Sequence, residues 1–425
     1  MSSTEPLVAG RSGTGLYGPV ALVLQAGITV AYYNAHLDLS KADDTDSSSV
    51  YNYYVGVALM MFVGFGYLMT FLKAYGLGAV GLTMFITCLG VEYAILIESY
   101  MGKGSLAIDF LSLLNGNFGV AAVLISFGGL IGKISPMQIT VLTVVELTCY
   151  CVNKVYFLKQ YADAPLIGDC GGTIIIHVFG AYFGLSACKV LGKPEKDALN
   201  ASSYTSDIFS LVGTVFLWLF WPSFVAGYLP SGPGQTTALL NTVLALLAST
   251  VVTFALTPIM SGKKLTTVPV QNATLAGGVS IGATANLVGP FGALVIGGCA
   301  GLLSTYGFIK SPMFGDVDTC GISNLHGMPG IFGGLVSILV PFMYTDTGVN
   351  AAKQAAGLAI TLVVAGCTGA LTGFIMKFLD TPTDSFTDES AWECADDVAK
   401  ISASAEDAEM GATSTDTETQ RCTIG

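Results

Sequence analysis

The sequence predicts an all-α polytopic membrane protein of about twelve transmembrane helices with an inverted five-helix pseudo-symmetric repeat. Three observations lead to this prediction. Of the 425 residues, 52% are hydrophobic and only 11% are charged, and the mean hydropathy is +0.67, far from the makeup of a soluble domain. Apolar runs of about 20 residues, the length that crosses the hydrocarbon core as a helix, recur along the chain. One motif that contains a histidine occurs twice, five predicted helices apart.

Short polar breaks separate the predicted helices, and the 52 glycines are typical of helices that approach closely in lipid. We expect a short cytoplasmic N-terminus at 1–14, a transmembrane domain at 15–378 and a tail at 379–425. The predicted helices lie at 15–36, 50–73, 77–99, 118–132, 138–158, 169–190, 207–228, 236–260, 269–288, 291–309, 321–344 and 352–378.

Lysine and arginine are unevenly divided between the two sides of the predicted membrane domain. With the N-terminus inside, ten of these residues fall on the inner side and five on the outer side. Because basic residues accumulate in cytoplasmic loops, both termini are expected to be cytoplasmic. The inner residues are Arg11, Lys73, Lys133, Lys189, Lys193, Lys196, Lys263, Lys264, Lys310 and Lys377, and the outer residues are Lys41, Lys103, Lys154, Lys159 and Lys353.

The net charge of −12 is concentrated in the tail. From Asp380 onward, 12 acidic residues stand against Lys400 and Arg421, a net charge of −10 that leaves −2 for the rest of the chain. A polar, acidic segment rich in serine and threonine buries too little apolar surface to fold alone. The tail is therefore expected to be mostly disordered and available to a cytoplasmic partner. A basic surface for nucleic acid is lacking.

Two histidines lie where an ionisable side chain is costly, well inside the sixth and eleventh predicted helices. Both belong to the pattern Asp-x7-His-x5-Phe-Gly, which places His177 within Asp169–Gly184 and His326 within Asp318–Gly333. Five helices separate the copies, so the two copies have opposite orientations in the membrane. This arrangement is typical of an inverted repeat with a substrate path between its halves.

The histidines and aspartates of this motif each have more than one interpretation. A single histidine in a membrane can simply hydrogen-bond to a neighbouring helix, whereas two at matched positions can face each other, because neutral imidazole offers one donor and one acceptor. A metal site is a rival, but no third ligand accompanies the pair, and neither metal nor cofactor is expected. Asp169 and Asp318 begin their helices, where a carboxylate either caps backbone N–H groups or stabilises a nearby cation.

Several stretches of the chain resemble the Rh (Rhesus) glycoprotein branch of the ammonium transporter family. They are Asn117–Ala122, Gly132–Pro136, His177–Gly184, Ser206–Phe209, Phe220–Phe224, Gln271–Gly278 and Asp318–Gly330. The last two are long and specific, and together the stretches run through nearly the whole membrane body. The tail adds Phe386-Thr-Asp388 followed by Trp392-Glu393, which is similar to a short cytoplasmic motif of that family.

The resemblance implies a homotrimer with one pore in each subunit. It makes His177 and His326 the histidine pair that lines the pore, and Phe118 and Phe224 the paired gate above it. Where the Rh proteins place a vestibule glutamate, this chain has Lys154, a charge reversal that should discourage cations at the entrance. The mouth tryptophan that high-affinity ammonium transporters use for cation–π recruitment has no counterpart here. Weak recruitment and low affinity are therefore expected.

These expectations describe an ammonium/ammonia channel in the plasma membrane that passively conducts neutral ammonia once ammonium has lost its proton at the pore mouth. Methylammonium and CO2 are further candidate substrates. Two alternatives stay open, an electrogenic or proton-coupled transporter and a non-conducting sensor or scaffold that acts through the tail. Enzymatic activity is not expected, since the chain has no phosphate-binding glycine loop and no recognisable catalytic triad.

Overall fold

The structure is a computed structural model that describes residues 15–38, 45–160, 165–194, 197–310, 312–345, 347–382 and 384–394. These residues form twelve helical spans, named α1 to α12. Ten of the spans are long and apolar enough to cross a membrane, and the other two, α1 and α9, are α-helices of 15 residues each. The predicted all-α polytopic membrane protein with about twelve helices is confirmed.

Several spans contain a stretch of wider π-helical turns. The first six are α1 (Tyr17–Ala31), α2 (Thr45–Leu59, continued by Met60–Phe65, Gly66–Leu68 and Met69–Phe71), α3 (Gly76–Glu98 and Ser99–Lys103), α4 (Phe110–Leu130), α5 (Pro136–Val152 and Asn153–Phe157) and α6 (Thr173–Val178 and Phe179–Leu191). The second six are α7 (Tyr204–Ala226), α8 (Pro233–Ser261), α9 (Thr267–Ile281), α10 (Pro290–Lys310), α11 (Ser323–Gly327 and Met328–Met343) and α12 (Ala351–Met376).

The boundaries of α4 and α9 differ most from the prediction. α4 begins at Phe110, eight residues before the predicted 118, where Asp109 accepts a hydrogen bond of 2.7 Å from the backbone N–H of Ser112. α9 ends at Ile281 instead of the predicted 288, and the chain continues in turns. Non-helical backbone is tolerated at membrane depth where protein surrounds it, and this stretch hydrogen-bonds to the loop before α6: the N–H of Gly171 donates to the carbonyl of Gly282 over 2.8 Å.

The inverted repeat is visible in the packing of α2–α6 and α7–α11. In the first set α3 contacts α4 and α5, and α4 contacts α5 and α6. In the second set the corresponding helices make the same pairs, because α8 contacts α9 and α10, and α9 contacts α10 and α11. α1 packs on α3 and α5, and α12 packs on α5 and α6. The predicted five-helix repeat is therefore confirmed, with one helix added at each end.

The glycine that ends each copy of the motif marks a close helix crossing. A Cβ atom on Gly184 of α6 would lie 2.6 Å from the Cα of Ser126 in α4. A Cβ atom on Gly333 of α11 would lie 2.3 Å from the carbonyl oxygen of Ser280 in α9. Neither position has room for a side chain. Each pore-bearing helix can thus approach the third helix of its own repeat, as small residues allow in membrane helix packing.

Part of the C-terminal segment packs against the ends of α3 and α4. Phe386 is buried, and its N–H donates a 2.7 Å hydrogen bond to the carbonyl of Gly132. The ring of Trp392 lies against Gly81, where a Cβ atom would come within 2.4 Å of it. Disorder, expected for most of the tail, does not extend to 384–394. The expectations for 395–425 and for 1–14 concern residues outside the described ranges.

Asp388 lies between these two aromatic anchors and caps α3. Its carboxylate accepts hydrogen bonds from the backbone N–H groups of Leu77 over 2.8 Å and Gly78 over 2.6 Å. The N–H of Asp388 donates to the carbonyl of Ala74 over 2.8 Å. A helix N-terminus has unpaired N–H groups and a partial positive charge, so the tail supplies a cap that α3 lacks within its own sequence.

Candidate pore

The two histidines of the repeated motif meet between the halves of the protein. The Nδ1 atoms of His177 and His326 are 3.1 Å apart, and the rings lie nearly parallel with their centroids 5.2 Å apart. Each residue is 2% exposed. Each also lies in the π-helical turns that open its span, α6 or α11. The structure thus brings together the two side chains that were expected to face each other.

The hydrogen bond between the Nδ1 atoms constrains the tautomers of the pair. One Nδ1 must carry a proton and donate the hydrogen bond, and the other Nδ1 must be unprotonated and accept it, because each nitrogen of neutral imidazole is either a donor or an acceptor. One Nε2 is then an acceptor and the other is an N–H donor. Nε2 of His177 is buried and has no hydrogen-bond partner among the described residues. At Nε2 of His177 the pair therefore offers a small polar molecule either an acceptor or a donor, according to the tautomer.

Aromatic rings cover the outer face of each imidazole. Trp221 stacks on His177 with a centroid separation of 5.5 Å and an interplanar angle of 18°, and Phe65 stacks on His326 at 6.3 Å and 18°. Sequence reasoning missed both residues as pore components. Trp221 lies within the Phe220–Phe224 stretch quoted for the family resemblance, but neither residue has a local pattern that separates it from ordinary apolar packing.

The two phenylalanines expected to form a gate also meet. Phe118 of α4 and Phe224 of α7 are packed edge to face with their centroids 4.9 Å apart. Both are buried, and the ring of Phe224 lies 5.7 Å from that of His177. Both line the cavity described below, and Phe224 also lies beside His177. A role in gating remains a prediction.

The two aspartates of the motif bind backbone N–H groups. Oδ2 of Asp169 accepts from Ile174 and Ile175, each over 2.8 Å. The carboxylate of Asp318 uses both oxygens, accepting from three successive residues, Gly321, Ile322 and Ser323, over 2.9–3.0 Å. The sequence led us to expect each aspartate at the start of its helix, but neither aspartate is the first residue of its helix. Each stands before the span and reaches into its first turn.

A glycine follows each aspartate by three residues and turns the chain into the helix. Gly172 has φ +70° and Gly321 has φ +74°, a left-handed conformation that glycine adopts without strain. Oδ1 of Asp169 has no hydrogen-bond partner among the described residues and belongs to a residue that lines the cavity. Both aspartates thus act as caps, and a cation-stabilising role remains a prediction for both residues.

The loop that holds each aspartate is fastened to the opposite repeat. The N–H of Gly171 in the first repeat donates to the carbonyl of Gly282, just after α9 of the second repeat. The N–H of Cys320 in the second repeat donates over 3.1 Å to the carbonyl of Gly128 in α4 of the first. Each histidine is therefore positioned by contacts with both halves of the protein.

A cavity outside the phenylalanine pair forms the candidate vestibule, and Lys154, expected in a vestibule, lines it. Nζ of Lys154 lies 2.8 Å from Oε1 of Glu98, and both residues are buried. Glu98, which sequence reasoning missed, is the ion-pair partner of Lys154, and the effect of Lys154 on cations at the entrance remains a prediction. The cavity is lined by Asn115, Phe118, Tyr150, Lys154, Gln160, Asp169, Cys170, Gly171, Gly172, Ile175, Ile176, Phe224 and Tyr228.

Comparison with known proteins places this arrangement among membrane transporters. The sequence model described as the Ammonium Transporter Family matches residues 21–385. The chain is 39% identical over 380 residues to an ammonium transporter Rh type B of Takifugu rubripes, covering 81% of this chain and 82% of the relative. It is 37% identical over 424 residues to an ammonium transporter Rh type C of Xenopus tropicalis, covering 88% and 90%. The solved structure of Rh50 from Nitrosomonas europaea superposes with a TM-score of 0.75 at 32% identity, covering 87% of this chain and 98% of that one.

Proposed function

Because the chain belongs to the Ammonium Transporter Family, we propose that it is an ammonium/ammonia channel of Rh type that passively conducts neutral ammonia. The histidine pair carries this proposal. With one Nε2 acceptor and one Nε2–H donor, the pair can accept a hydrogen bond from ammonia and donate one to its lone pair. Methylammonium, as a small analogue, and CO2 are further candidate substrates of the same path.

The surroundings of the pair favour a neutral substrate. The rings stacked on the imidazoles belong to Trp221 and Phe65, and Phe118 and Phe224 close the path toward the vestibule. An ion at the centre of a bilayer costs at least about 3 kcal/mol on insertion scales, and aromatic walls do not replace its hydration shell. Ammonium therefore transfers its proton to water in the vestibule, the proton stays on the side of entry, and ammonia continues alone.

The whole histidine path lies within one chain, which supports one pore in each subunit. We extend the proposal to a homotrimer in the plasma membrane with both termini in the cytoplasm. The orientation is supported by the ten basic residues on the inner side against five on the outer side. Residues 15–378 then form the channel domain, and residues 1–14 and 379–425 are cytoplasmic extensions. The tail at 379–425 is the segment that a cytoplasmic partner would bind.

Flux into liposomes tests the proposal. An inward ammonium gradient imposed by stopped flow raises the internal pH when neutral ammonia enters, and we expect a faster rise with protein than in empty vesicles. When the same vesicles are fused with a planar bilayer under voltage clamp, we expect no current that depends on the ammonium concentration. A current that follows both ammonium and voltage would select an electrogenic mechanism instead, and unchanged ammonia permeability would refute channel activity. A CO2 gradient in the same apparatus measures the second gas.

A further inference from the structure

We propose that the amino group of Lys154 occupies a binding site for ammonium-type cations in the vestibule, so that the chain carries its own tethered occupant there. The inference rests on the proposed conduction of ammonia through this vestibule. The side chain of Lys154 ends in R–NH3⁺, the same chemical group as methylammonium. What surrounds that group defines the site.

Three kinds of ligand surround Nζ of Lys154, and each is suited to a small ammonium ion. Oε1 of Glu98 lies 2.8 Å away and supplies a carboxylate. Oδ1 of Asn115 lies 3.4 Å away and supplies an amide oxygen. The ring of Tyr150 has its centroid 5.8 Å away, within the range of a cation–π contact. An ammonium group has three N–H donors and no acceptor, which matches this set.

The position of the site gives it a consequence for transport. Lys154, Asn115 and Tyr150 all line the cavity that leads to Phe118 and Phe224. A free cation that reaches the vestibule therefore meets an amide and an aromatic face that already hold a charged amine. That amine is also paired with the carboxylate of Glu98, which is not among the residues that line the cavity. Free ammonium competes poorly with the amine of Lys154 for these ligands. The covalent tether keeps the local concentration of that amine in the millimolar range or above, roughly as for linked binding modules. Free ammonium should consequently not accumulate in this vestibule, and flux should depend on the ammonia concentration alone.

The simplest test measures binding without flux. Methylammonium chloride is titrated by calorimetry into the purified full-length protein, with sodium chloride as the matched salt control. We expect Lys154→Met, which removes the amine but keeps most of the stem, to bind methylammonium about tenfold or more tightly than the original chain. Lys154→Ser, whose small side chain admits water around Glu98, provides a second variant in case burial of that carboxylate destabilises the first.

Glu98 supplies the matched controls. The double variant Glu98→Gln with Lys154→Met has the same vacated space but no carboxylate, so it should lose the gained affinity. Glu98→Gln alone keeps the tethered amine and should bind methylammonium no better than the original chain. If Lys154→Met and Lys154→Ser both fold and neither gains affinity, or if the double variant binds as tightly as the single one, Lys154 is only a structural ion-pair partner and the inference is wrong.

Flux measurements connect the site to transport and keep the two proposals apart. In liposomes, ammonia entry through the original chain should rise linearly with concentration and should not respond to external methylammonium. Entry through Lys154→Met should saturate and should be inhibited by methylammonium at concentrations near the calorimetric Kd. Absence of ammonia entry in the original chain would refute the proposed function, whereas the calorimetric comparison would still decide whether Lys154 occupies a cation site.

Discussion

The cap that Asp388 provides to α3 predicts how firmly the tail is docked. Replacing Asp388 with alanine removes both hydrogen bonds to the N–H groups of Leu77 and Gly78. Loss of a capping side chain costs about 0.5–2 kcal/mol. Because Asp388 is only 2% exposed, little water can replace its oxygens, and a cost near 2 kcal/mol, the upper end of this range, is expected. This corresponds to an increase of about 30-fold in the undocked population.

Limited proteolysis in detergent measures that population, because cleavage within 384–394 requires the segment to leave the body. The cleavage rate of Asp388→Ala should rise by roughly the same factor as the undocked population while cleavage remains slower than redocking. Glu389→Ala is the matched control, since it removes the same charge from the neighbouring, exposed side chain. Equal cleavage rates in the two variants and the original chain would show that the cap contributes nothing to docking.

The same contact has a defined pH dependence. Burial raises the pKa of Asp388 above its ordinary value, although the backbone N–H groups of the α3 terminus lower it. A docked pKa above the undocked pKa means that protonation favours docking. The contribution is fully present below the undocked pKa and is lost as pH rises through the docked pKa. Acrylamide quenching of Trp392 should therefore decrease on acidification, and Asp388→Asn, which keeps a capping oxygen without a charge, should remove this dependence.

Three further substitutions test the pore and the helix crossings. His177→Ala removes one hydrogen-bonding partner worth about 1–1.5 kcal/mol and should lower ammonia permeability about tenfold in the liposome assay, whereas the exposed His36→Ala should leave it unchanged. Asp318→Ala leaves three N–H groups at and just before the start of α11 without their acceptor and should destabilise the protein by about 3 kcal/mol or more, seen as a lower Tm than in Asp318→Asn. Gly297→Ala would place a Cβ 2.1 Å from a carbonyl oxygen of α8 and should lower the Tm through overpacking of about 1–3 kcal/mol; Gly298→Ala, whose Cβ would meet nothing closer than 3.7 Å, should not.

The helices could be predicted from the sequence because apolar length is what a bilayer demands of a spanning helix. The predicted start of α4 was wrong because Asn115 and Asn117 interrupt the apolar run there. Both asparagines are buried in protein and face no lipid, so hydropathy misreads them as a loop. The π-helical turns around His177 and His326 also escaped prediction, since they depend on how each loop is fastened to the other repeat, and hydropathy carries no signal of that.

The candidate site was predictable only where a residue is anomalous for its environment. His177 and His326 stood out because an imidazole within an apolar span is costly and because the motif occurs twice. Trp221 and Phe65 gave no such signal, since a large aromatic residue is ordinary in an apolar helix. Lys154 was recognised as unusual, but its partner Glu98 lies 56 residues earlier on another helix, and only the packing of α3 against α5 brings the two charges together.

The crosswise fastening of the aspartate loops has a consequence for biogenesis. The loop of α6 hydrogen-bonds to backbone at the end of α9, and the loop of α11 hydrogen-bonds to backbone at the end of α4. When α6 leaves the ribosome, the backbone that accepts the hydrogen bond from its loop has not yet been synthesised, and the residue that donates to the carbonyl of Gly128 comes only with the loop before α11. The first six spans therefore lack both hydrogen bonds between the repeats until the second repeat has been made. The channel closes around its histidines only after the eleventh span has entered the bilayer, so a nascent chain arrested before that point has a membrane domain but no pore.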